Sequence, residues 1–330
     1  MGSPMYADLV RRLIMTLDDD GPVRCILAPH AHAPGSAATA LRLLGTVHRL
    51  VLEGRAEGLA PFYPSVGGQF CADAAWPEFV AVLDHRADEV AEGMRRPPQT
   101  NEVGRAAALV GGLLRMCAGD PPLRLFEIGA SAGLNLRADR FRYRGVGGAW
   151  GPVDSPVRLD PAWDGAPTAV GVSLQIAERR GCDLDPVDPT TPDGRRLLAS
   201  YVWPDHDSRL SRLRGACDIA AQVPAGVLRQ SALAMVSALE VEAGRCTVVW
   251  HSVMWQYLAE GERQAVLTEL HRLGSAATDE APVVHLSLEP RRRTPDAPHT
   301  FLVVGRRWPG GDEQVLGQAP GHGVPVHWER

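Results

Sequence analysis

The chain of 330 residues is 45% hydrophobic and 22% charged, a balance typical of a soluble globular protein with one large domain or one domain and a substantial cap. All 34 basic residues are arginine, which excludes chemistry that requires lysine, such as a pyridoxal Schiff base or a P-loop. The formal net charge is −5 and the arginines are spread along the chain, so we expect no nucleic-acid partner.

Cysteine and histidine spacing predicts neither a disulfide framework nor a metal site. The six cysteines are scattered without a C-x-x-C pair, and the close pair His30 and His32 has no carboxylate or cysteine at ligand spacing. The first residues contain no apolar segment of signal-peptide length, and no apolar run reaches the roughly 18 residues of a membrane span. We therefore expect a cytoplasmic protein that has no membrane partner.

Residues 1–120 have the apolar spacing of helices. The predicted helices are 5–17, 37–53, 77–94 and 102–117. Between the second and third of them, the loop FYPSVGG carries Tyr63 and Ser65, which could close over a pocket. The segment TNEVGR places Glu102 and Arg105 at the start of the fourth helix, where the arginine could hold a carboxylate of a substrate or cofactor. Thr100 or Asn101 could equally serve only to cap that helix.

From residue 121 onward, short β-rich runs alternate with helical patterns. The predicted strands are 123–128, 156–160, 182–187, 246–251, 282–288, 301–306 and 324–328, and the predicted helices are 133–140, 169–180, 193–221, 226–242 and 261–273. Such alternation predicts an α/β fold with a mostly parallel sheet covered on both faces. No helical pattern joins the last two strands, which predicts an antiparallel hairpin at the sheet edge. We therefore divide the chain into an N-terminal helical cap, 1–120, and a sheet domain, 121–330.

The segment LFEIGASAGLN is the most informative motif of the chain. Its strand ends at Glu127, and Gly129 and Gly133 follow in a turn that leads to a predicted helix start. Dinucleotide-binding turns have their acid about 20 residues later, whereas here the acid precedes the first glycine by two residues. The pattern resembles motif I of class I S-adenosylmethionine-dependent methyltransferases, in which such an acid serves the methionine end of the cofactor. Ser131 replaces the middle glycine of the usual motif.

GASAG also matches G-x-S-x-G, the nucleophile elbow of α/β-hydrolases, so Ser131 could instead be a nucleophile. Against this interpretation, the preceding 120 residues are predicted to be helical and contain no HGGG-type oxyanion segment. Both interpretations remain open from the sequence.

Three further residues follow predicted strands, where ligands bind in open α/β sheets. Asp160 ends VRLD and fits an acid that binds ribose hydroxyls, and Asp188 in CDLDPVD fits an acid near an adenine amino group. His251 in TVVWHSVMWQYL fits a base beside the methyl donor. The alternatives are solvated turn aspartates and a buried histidine bonded to the backbone.

Together the motifs resemble the bacterial family called domain of unknown function 2332 over nearly the whole chain. They are FYPSVGG, TNEVGRAAAL, LFEIGASAGLNL, RRGCDLDPVD, VWPD and VVWHSVMWQYL. The resemblance implies a Rossmann-like class I methyltransferase sheet with an N-terminal helical region, but no particular reaction. By motif match, the cofactor turn would consist of Glu127, Gly129, Ser131, Gly133 and Asn135.

The leading hypothesis is methyl transfer from S-adenosylmethionine to a small molecule. The second keeps the fold for another displacement, such as intramolecular ring closure in specialised biosynthesis. The third is a serine hydrolase that uses Ser131, and the fourth is a non-catalytic subunit of a hetero-complex. The sequence leaves the acceptor and any homo- or hetero-oligomer open.

Overall fold

The computed structural model describes residues 2–34, 38–165 and 170–329. It comprises two compact units, one of Met1–Thr100 with Thr191–Ser211 and one of Asn101–Thr190 with Arg212–Arg330. Residue 37 of one predicted helix and residue 169 of another lie outside the described residues. The division at residue 120 remains a prediction.

The α-helices are α1 Pro4–Met15, α2 Pro22–Leu27, α3 Thr39–Leu52, α4 Ala72–His85, α5 Ala87–Arg95, α6 Ala106–Met116, α7 Pro192–Ser200, α8 Asp207–Gln222, α9 Ala232–Ser237 and α10 Glu260–Ser275. The strands are β1 Leu123–Ile128, β2 Arg142–Gly145, β3 Gly148–Trp150, β4 Arg158–Asp164, β5 Ile176–Asp183, β6 Gly226–Arg229, β7 Cys246–Ser252, β8 Val283–Arg291, β9 Thr300–Trp308, β10 Glu313–Ala319 and β11 Val326–Trp328. Short 3-10 helices cover Ala28–His30, Ala60–Phe62, Pro64–Val66, Val103–Arg105, Leu134–Arg140 and Trp255–Tyr257. In the part of the chain that the structure describes, no helix combines the length and apolar character that crossing a membrane requires.

Amphipathic helices build the first unit. The buried residues Leu43, Val47, Leu50 and Val51 recur at helical spacing on α3, which packs against α5 and α7. At the start of α1, the Ser3 hydroxyl accepts the backbone N–H of Tyr6 at 2.9 Å and so caps the helix. The core of this unit is therefore formed by side chains from several helices and from the loop after α3 that contains the 3-10 turns Ala60–Phe62 and Pro64–Val66.

The second unit contains a mixed sheet whose described strands lie in the order β3-β2-β4-β11-β10-β9-β8-β7-β1-β5-β6. The strands from β6 to β8 pair in parallel, and β9 pairs antiparallel with both β8 and β10. The predicted α/β class with a mostly parallel sheet is thus confirmed. The predicted edge hairpin is wrong, because β10 separates β9 from β11, and β11 lies inside the sheet between β10 and β4.

Helix α6 lies in the core of this unit, and residues 106–114 are all buried. It contacts β8 and β9 and also β4, which lies three strands away from β9 in the sheet order, so the sheet curves around it. The helix has small residues where strands approach closely: a Cβ at Gly112 would lie 2.6 Å from the Leu286 side chain. The Trp163 indole N–H donates to the Ala107 carbonyl at 2.9 Å, which fixes β4 on the helix. The other face of the central strands packs on α9 and α10.

Several element predictions were wrong because polar strands resemble helices or loops in sequence. Residues predicted as the helix 169–180 instead contribute to β5, and the predicted helix 226–242 is divided into β6 and α9. The predicted helix 193–221 is broken into α7 and α8 around the proline of VWPD. The strand predicted at 156–160 corresponds to β4, which lies on the distant side of the sheet, whereas β5 is the neighbour of β1.

Candidate active site at the carboxyl end of β1

The turn after β1 lies where two parallel neighbours diverge. β1 pairs with β5 on one side and with β7 on the other, and such a switch point forms a crevice at the carboxyl ends of the strands. Gly129, Ser131 and Gly133 have φ angles of +67°, +52° and +64°. Ser131 thus adopts the left-handed conformation that favours glycine, so the serine does not change the type of backbone turn. The backbone of the turn therefore has the conformation that lets a ligand approach closely, even though Ser131 replaces the usual glycine.

Asp183, the last residue of β5, holds this turn in place. Its Oδ2 accepts the backbone N–H of Ser131 at 2.8 Å, and its Oδ1 accepts that of Asp185 at 2.9 Å. The backbone N–H of Val187 donates to the Ser131 carbonyl at 3.2 Å. The carboxylate at the end of the strand beside β1 is therefore Asp183, five residues before Asp188 in the segment CDLDPVD.

The structure does not bring Asp160 to the turn. Asp160 lies in β4, is exposed, and has its carboxylate 3.7 Å from the guanidinium of Arg144. Asp188 is also exposed, and it accepts the backbone N–H and the hydroxyl of Thr190 at 2.8 and 2.6 Å. These hydrogen bonds lower the pKa of Asp188, and the charge of Arg137 acts in the same direction, so Asp188 lies within electrostatic range of the turn.

Glu127 is the buried carboxyl group at the centre of the site. Only 2% of Glu127 is exposed, and burial raises its pKa to about 8. The polar groups of Trp250 and Asn135 lower the pKa of Glu127, and so do the charges of Arg137 and Arg105. Glu127 is therefore largely protonated at neutral pH, and any cation brought next to it would favour the carboxylate.

Three buried polar atoms around Glu127 make no hydrogen bond of standard geometry within the described residues, although Trp250 and Asn135 interact with Glu127 closely enough to lower its pKa. They are Glu127 Oε2, Asn135 Oδ1 and the indole nitrogen Trp250 Nε1. Two of these atoms are acceptors and one is a donor. Because buried polar groups are nearly always hydrogen-bonded, this cluster has the character of a site completed by a polar ligand or by water.

Residues from the segment before α6 fix the surroundings of Asn135. The Asn135 side-chain amide donates to the Glu102 carbonyl at 3.3 Å, and the Leu134 N–H donates to Asn101 Oδ1 at 2.8 Å. Glu102 is buried, and its Oε1 accepts the N–H of Gly104 at 3.1 Å. The structure thus brings Glu102 and Asn101 together with the turn, and their observed contacts are structural.

Two arginines supply positive charge to the cluster. Arg105 donates to the carbonyls of Gly321 and Ser252 at 3.0 and 3.4 Å. Arg137 donates to the carbonyls of Gly133 and Val223 at 2.7 and 2.8 Å. Arg137 was not predicted from the sequence. The only local signal is its position four residues after the last glycine of the turn, from which it can donate to the carbonyl of that glycine.

His251 lies on the other face of the sheet. Trp250 is the register partner of Glu127, so the next residue of β7 projects from the opposite face. His251 Nδ1 is 2.8 Å from Glu289 Oε1, its Nε2 is 3.0 Å from His285 Nε2, and its ring stacks on Trp255 at 4.8 Å. The structure therefore does not bring His251 into the cluster around Glu127.

Sequence analysis missed Glu289 and His285. Glu289 Oε1 also accepts the backbone N–H groups of Met254 and Trp255 at 3.1 and 3.3 Å, so it anchors the segment after β7. Burial lowers the pKa of His285 well below its usual value, which keeps this ring neutral. The available signal was the polar alternation in HLSLE, which places both residues on one face of an apolar strand.

Met254 links this segment to the turn. A Cβ built on Gly129 would lie 2.9 Å from the Met254 side chain, so the methionine packs directly on the glycine. A ligand that approaches the backbone at Gly129 has to displace or contact Met254.

Tyr63 belongs to the first unit and is fully buried in its core. Burial raises the pKa of its hydroxyl, and within the described ranges this oxygen has no hydrogen-bond partner. Tyr63 is thus a core residue of its unit, in contrast to the mobile loop position expected from its sequence.

One group of potential metal ligands lies at the opposite end of the central strands. Cys117, Asp120 and Cys246 have ligand atoms within 4.8 Å of one another. Both Asp120 oxygens accept hydrogen bonds from Arg307, at 2.6 and 2.9 Å. The hydrogen bond with Cys246, followed by burial, raises the pKa of Cys117, which favours the thiol. The observed contacts are those of a thiol pair beside an ion pair.

Comparisons with known proteins identify the family. A search of curated proteins found no match to the chain. A family model described as "Uncharacterized protein conserved in bacteria (DUF2332)" matches residues 1–328. The chain therefore belongs to the bacterial family called domain of unknown function 2332.

Proposed function

We propose that the second unit binds S-adenosylmethionine at the turn after β1 and transfers its methyl group to a small molecule. The observation that carries the proposal is Glu127, a buried carboxyl group one residue before the end of β1, which has an oxygen without a partner in the described structure. The methionine portion of this cofactor has an ammonium group, which would donate to Glu127 Oε2 and favour its charged form. When bound, the cofactor supplies an electrophilic methyl group on a sulfonium.

The turn supports the proposal through its backbone. Left-handed residues at three alternate positions allow close approach to a ligand, and Asp183 holds the middle one. The strand order from β6 to β8 places this turn at the crevice where open α/β sheets bind ligands. Sheets of class I methyltransferases, which the motif resembles, bind their cofactor at such a turn.

The protein groups would act mainly by positioning and by excluding water. Arg105 and Arg137 hold loop carbonyls around the turn, and their charges partly offset the cost of a buried carboxylate. Methyl transfer needs the acceptor in line with the donor, so a rigid and buried surrounding favours the reaction.

A second candidate function is displacement within a single substrate, such as ring closure, without S-adenosylmethionine. Met254 packs on Gly129 at the position where a cofactor would approach the turn, which favours this candidate. The hydrolase hypothesis has less support, because both ring nitrogens of His251 contact Glu289 and His285.

The test is calorimetric titration of the purified chain with S-adenosylmethionine and S-adenosylhomocysteine. We expect binding that weakens about 5- to 150-fold in Glu127→Gln, because a charge-assisted hydrogen bond contributes roughly 1–3 kcal/mol. Asp160→Asn is the matched control, since this exposed acid lies far from the turn, and its affinity should equal that of the wild type. Absence of binding, or equal affinity in Glu127→Gln, would contradict the proposal and favour displacement without this cofactor.

A further inference from the structure

The first unit contains a hydrogen-bonded chain of a serine, a histidine and a carbonyl group. Ser65 Oγ lies 2.8 Å from His48 Nε2, and His48 Nδ1 lies 3.0 Å from the carbonyl oxygen of Ser200. His48 is on α3, Ser65 is in the 3-10 turn Pro64–Val66, and Ser200 ends α7. All three belong to one compact unit, so their geometry does not depend on the site around Glu127.

The chemistry of these groups determines the direction of the hydrogen bonds. A carbonyl oxygen can only accept, so His48 Nδ1 carries the proton that it donates to Ser200. Burial lowers the pKa of His48 to about 4, so the ring is neutral near pH 7. In a neutral ring with a protonated Nδ1, Nε2 is the acceptor, and the Ser65 hydroxyl therefore donates to it.

This is the arrangement by which a serine is activated as a nucleophile. A hydroxyl within hydrogen-bond reach of a base, with the base oriented by a third group, is its diagnostic geometry. Here the Ser200 carbonyl orients the ring in the way that a carboxylate does in other triads. Ser131 has no comparable relation to His251, since both nitrogens of that ring contact other side chains.

The surroundings hold His48 still and leave Ser65 near the surface. His48 is fully buried and its ring lies against Tyr63, with 5.6 Å between the ring centres. The loop is closed by backbone hydrogen bonds, including Gly68 N–H to the Tyr63 carbonyl at 3.0 Å. Ser65 itself is half-buried, and the next residue, Val66, is 44% exposed. The part of this hydrogen-bonded chain that is nearest to solvent is therefore Ser65, whereas His48 is enclosed.

We propose that Ser65 is an activated nucleophile toward small acyl esters, with His48 as its general base and the Ser200 carbonyl as the group that orients the ring. Ser65 Oγ forms a bond to the acyl carbon while its proton passes to His48 Nε2. The ester C–O bond then breaks, and the alcohol leaves with the proton from His48. Water then gives a proton to the same ring and attacks the acyl carbon. The bond between that carbon and Ser65 Oγ breaks, the acid leaves, and the proton on His48 returns to Ser65 Oγ.

The experiment treats the full chain with a fluorophosphonate probe and identifies the modified residue by mass spectrometry of its peptides. We expect one adduct, on Ser65, formed in the folded protein and absent in urea. Ser65→Ala should remove the adduct, and Ser275→Ala, which changes an exposed serine bonded to a helix carbonyl, should label like the wild type. His48→Gln should slow labelling by about 10²-fold, the lower end of the range of general-base catalysis, because a pKa of about 4 makes His48 a weaker base than a histidine that titrates near pH 7.

The outcome remains clear even if His48→Gln fails to fold. The adduct is mapped directly on the wild-type chain, and the melting curve of Ser65→Ala shows whether that variant is folded. Absence of an adduct on the folded wild-type chain would overturn the proposal, as would an adduct on another residue that persists in Ser65→Ala. In either case the Ser65 hydroxyl would serve only as the hydrogen-bond donor to the buried Nε2 of His48. Titration with S-adenosylhomocysteine is independent of this result, so the two proposals can fail separately.

Discussion

The replacement Glu127→Gln should change how the stability of the protein depends on pH. The pKa of Glu127 is about 8 in the folded protein because burial disfavours the charged form, against an ordinary value of 4.5. Between these two pH values the unfolded chain has lost the Glu127 proton and the folded chain retains it. The unfolding free energy of the wild type should therefore fall as the pH rises through this window, since the folded state binds more protons.

The magnitude follows from the size of the shift. One pKa unit corresponds to about 1.4 kcal/mol, so the shift from 4.5 to about 8 corresponds to at most roughly 5 kcal/mol across the window. Glutamine has nearly the same shape and does not titrate. The unfolding free energy of Glu127→Gln minus that of the wild type should thus increase by about 2–4 kcal/mol between pH 5 and pH 8.

Urea unfolding at half-unit pH intervals, followed by tryptophan fluorescence, measures this difference. Glu280→Gln is the control, because its side chain is exposed and the variant should follow the wild type at every pH. A constant difference between Glu127→Gln and the wild type from pH 5 to pH 8 would refute the burial argument. It would mean that Glu127 is ionised in the folded protein or that its oxygens have partners.

Three further substitutions test the packing of the site, all by urea unfolding. Gly129→Ala should destabilise the protein by about 1–3 kcal/mol, because the left-handed backbone and the Met254 side chain both oppose a methyl group; equal stability would contradict the described turn. Asp183→Ala should cost about 1–3 kcal/mol, since it leaves the Ser131 N–H without its acceptor, whereas Asp183→Asn should retain part of the stability. Glu289→Gln should cost about 1–3 kcal/mol and shift the ring signals of His251 in NMR spectra; unchanged signals would argue against the described contact.

The parts of the fold that could be predicted are those with a local signature. β1, β7 and β8 are mostly buried, and each contains enough apolar residues to be recognised as a strand from the sequence. β5 and β10 contain charged and polar residues at partly exposed positions, so IAERRGCD was assigned partly to a helix and EQVLGQA to a loop. Strand order has no local signature at all, so the position of β4 on the distant side of the sheet could not be predicted from the sequence.

The same distinction holds for the candidate site. Glu127 could be found because an acid that ends an apolar strand before a glycine turn is unusual in itself. Arg137 and Asp183 act through contacts with backbone groups far along the chain or across strands, so their positions emerge only with the fold. His251 was placed at the correct strand end, but its face depends on the pairing of Trp250 with Glu127, which the sequence does not encode locally.

The central claim is that Glu127 binds the cationic amino group of S-adenosylmethionine, and the pH dependence of binding tests it most directly. With a pKa of about 8, roughly a tenth of the Glu127 carboxyl groups are ionised at pH 7 and roughly three quarters at pH 8.5. The dissociation constant of S-adenosylhomocysteine for Glu127→Gln, divided by that for the wild type, should therefore rise about eightfold over this interval, and the ratio cancels the titration of the ligand itself. A ratio that stays constant with pH, or a wild-type chain that binds neither ligand, would contradict the account.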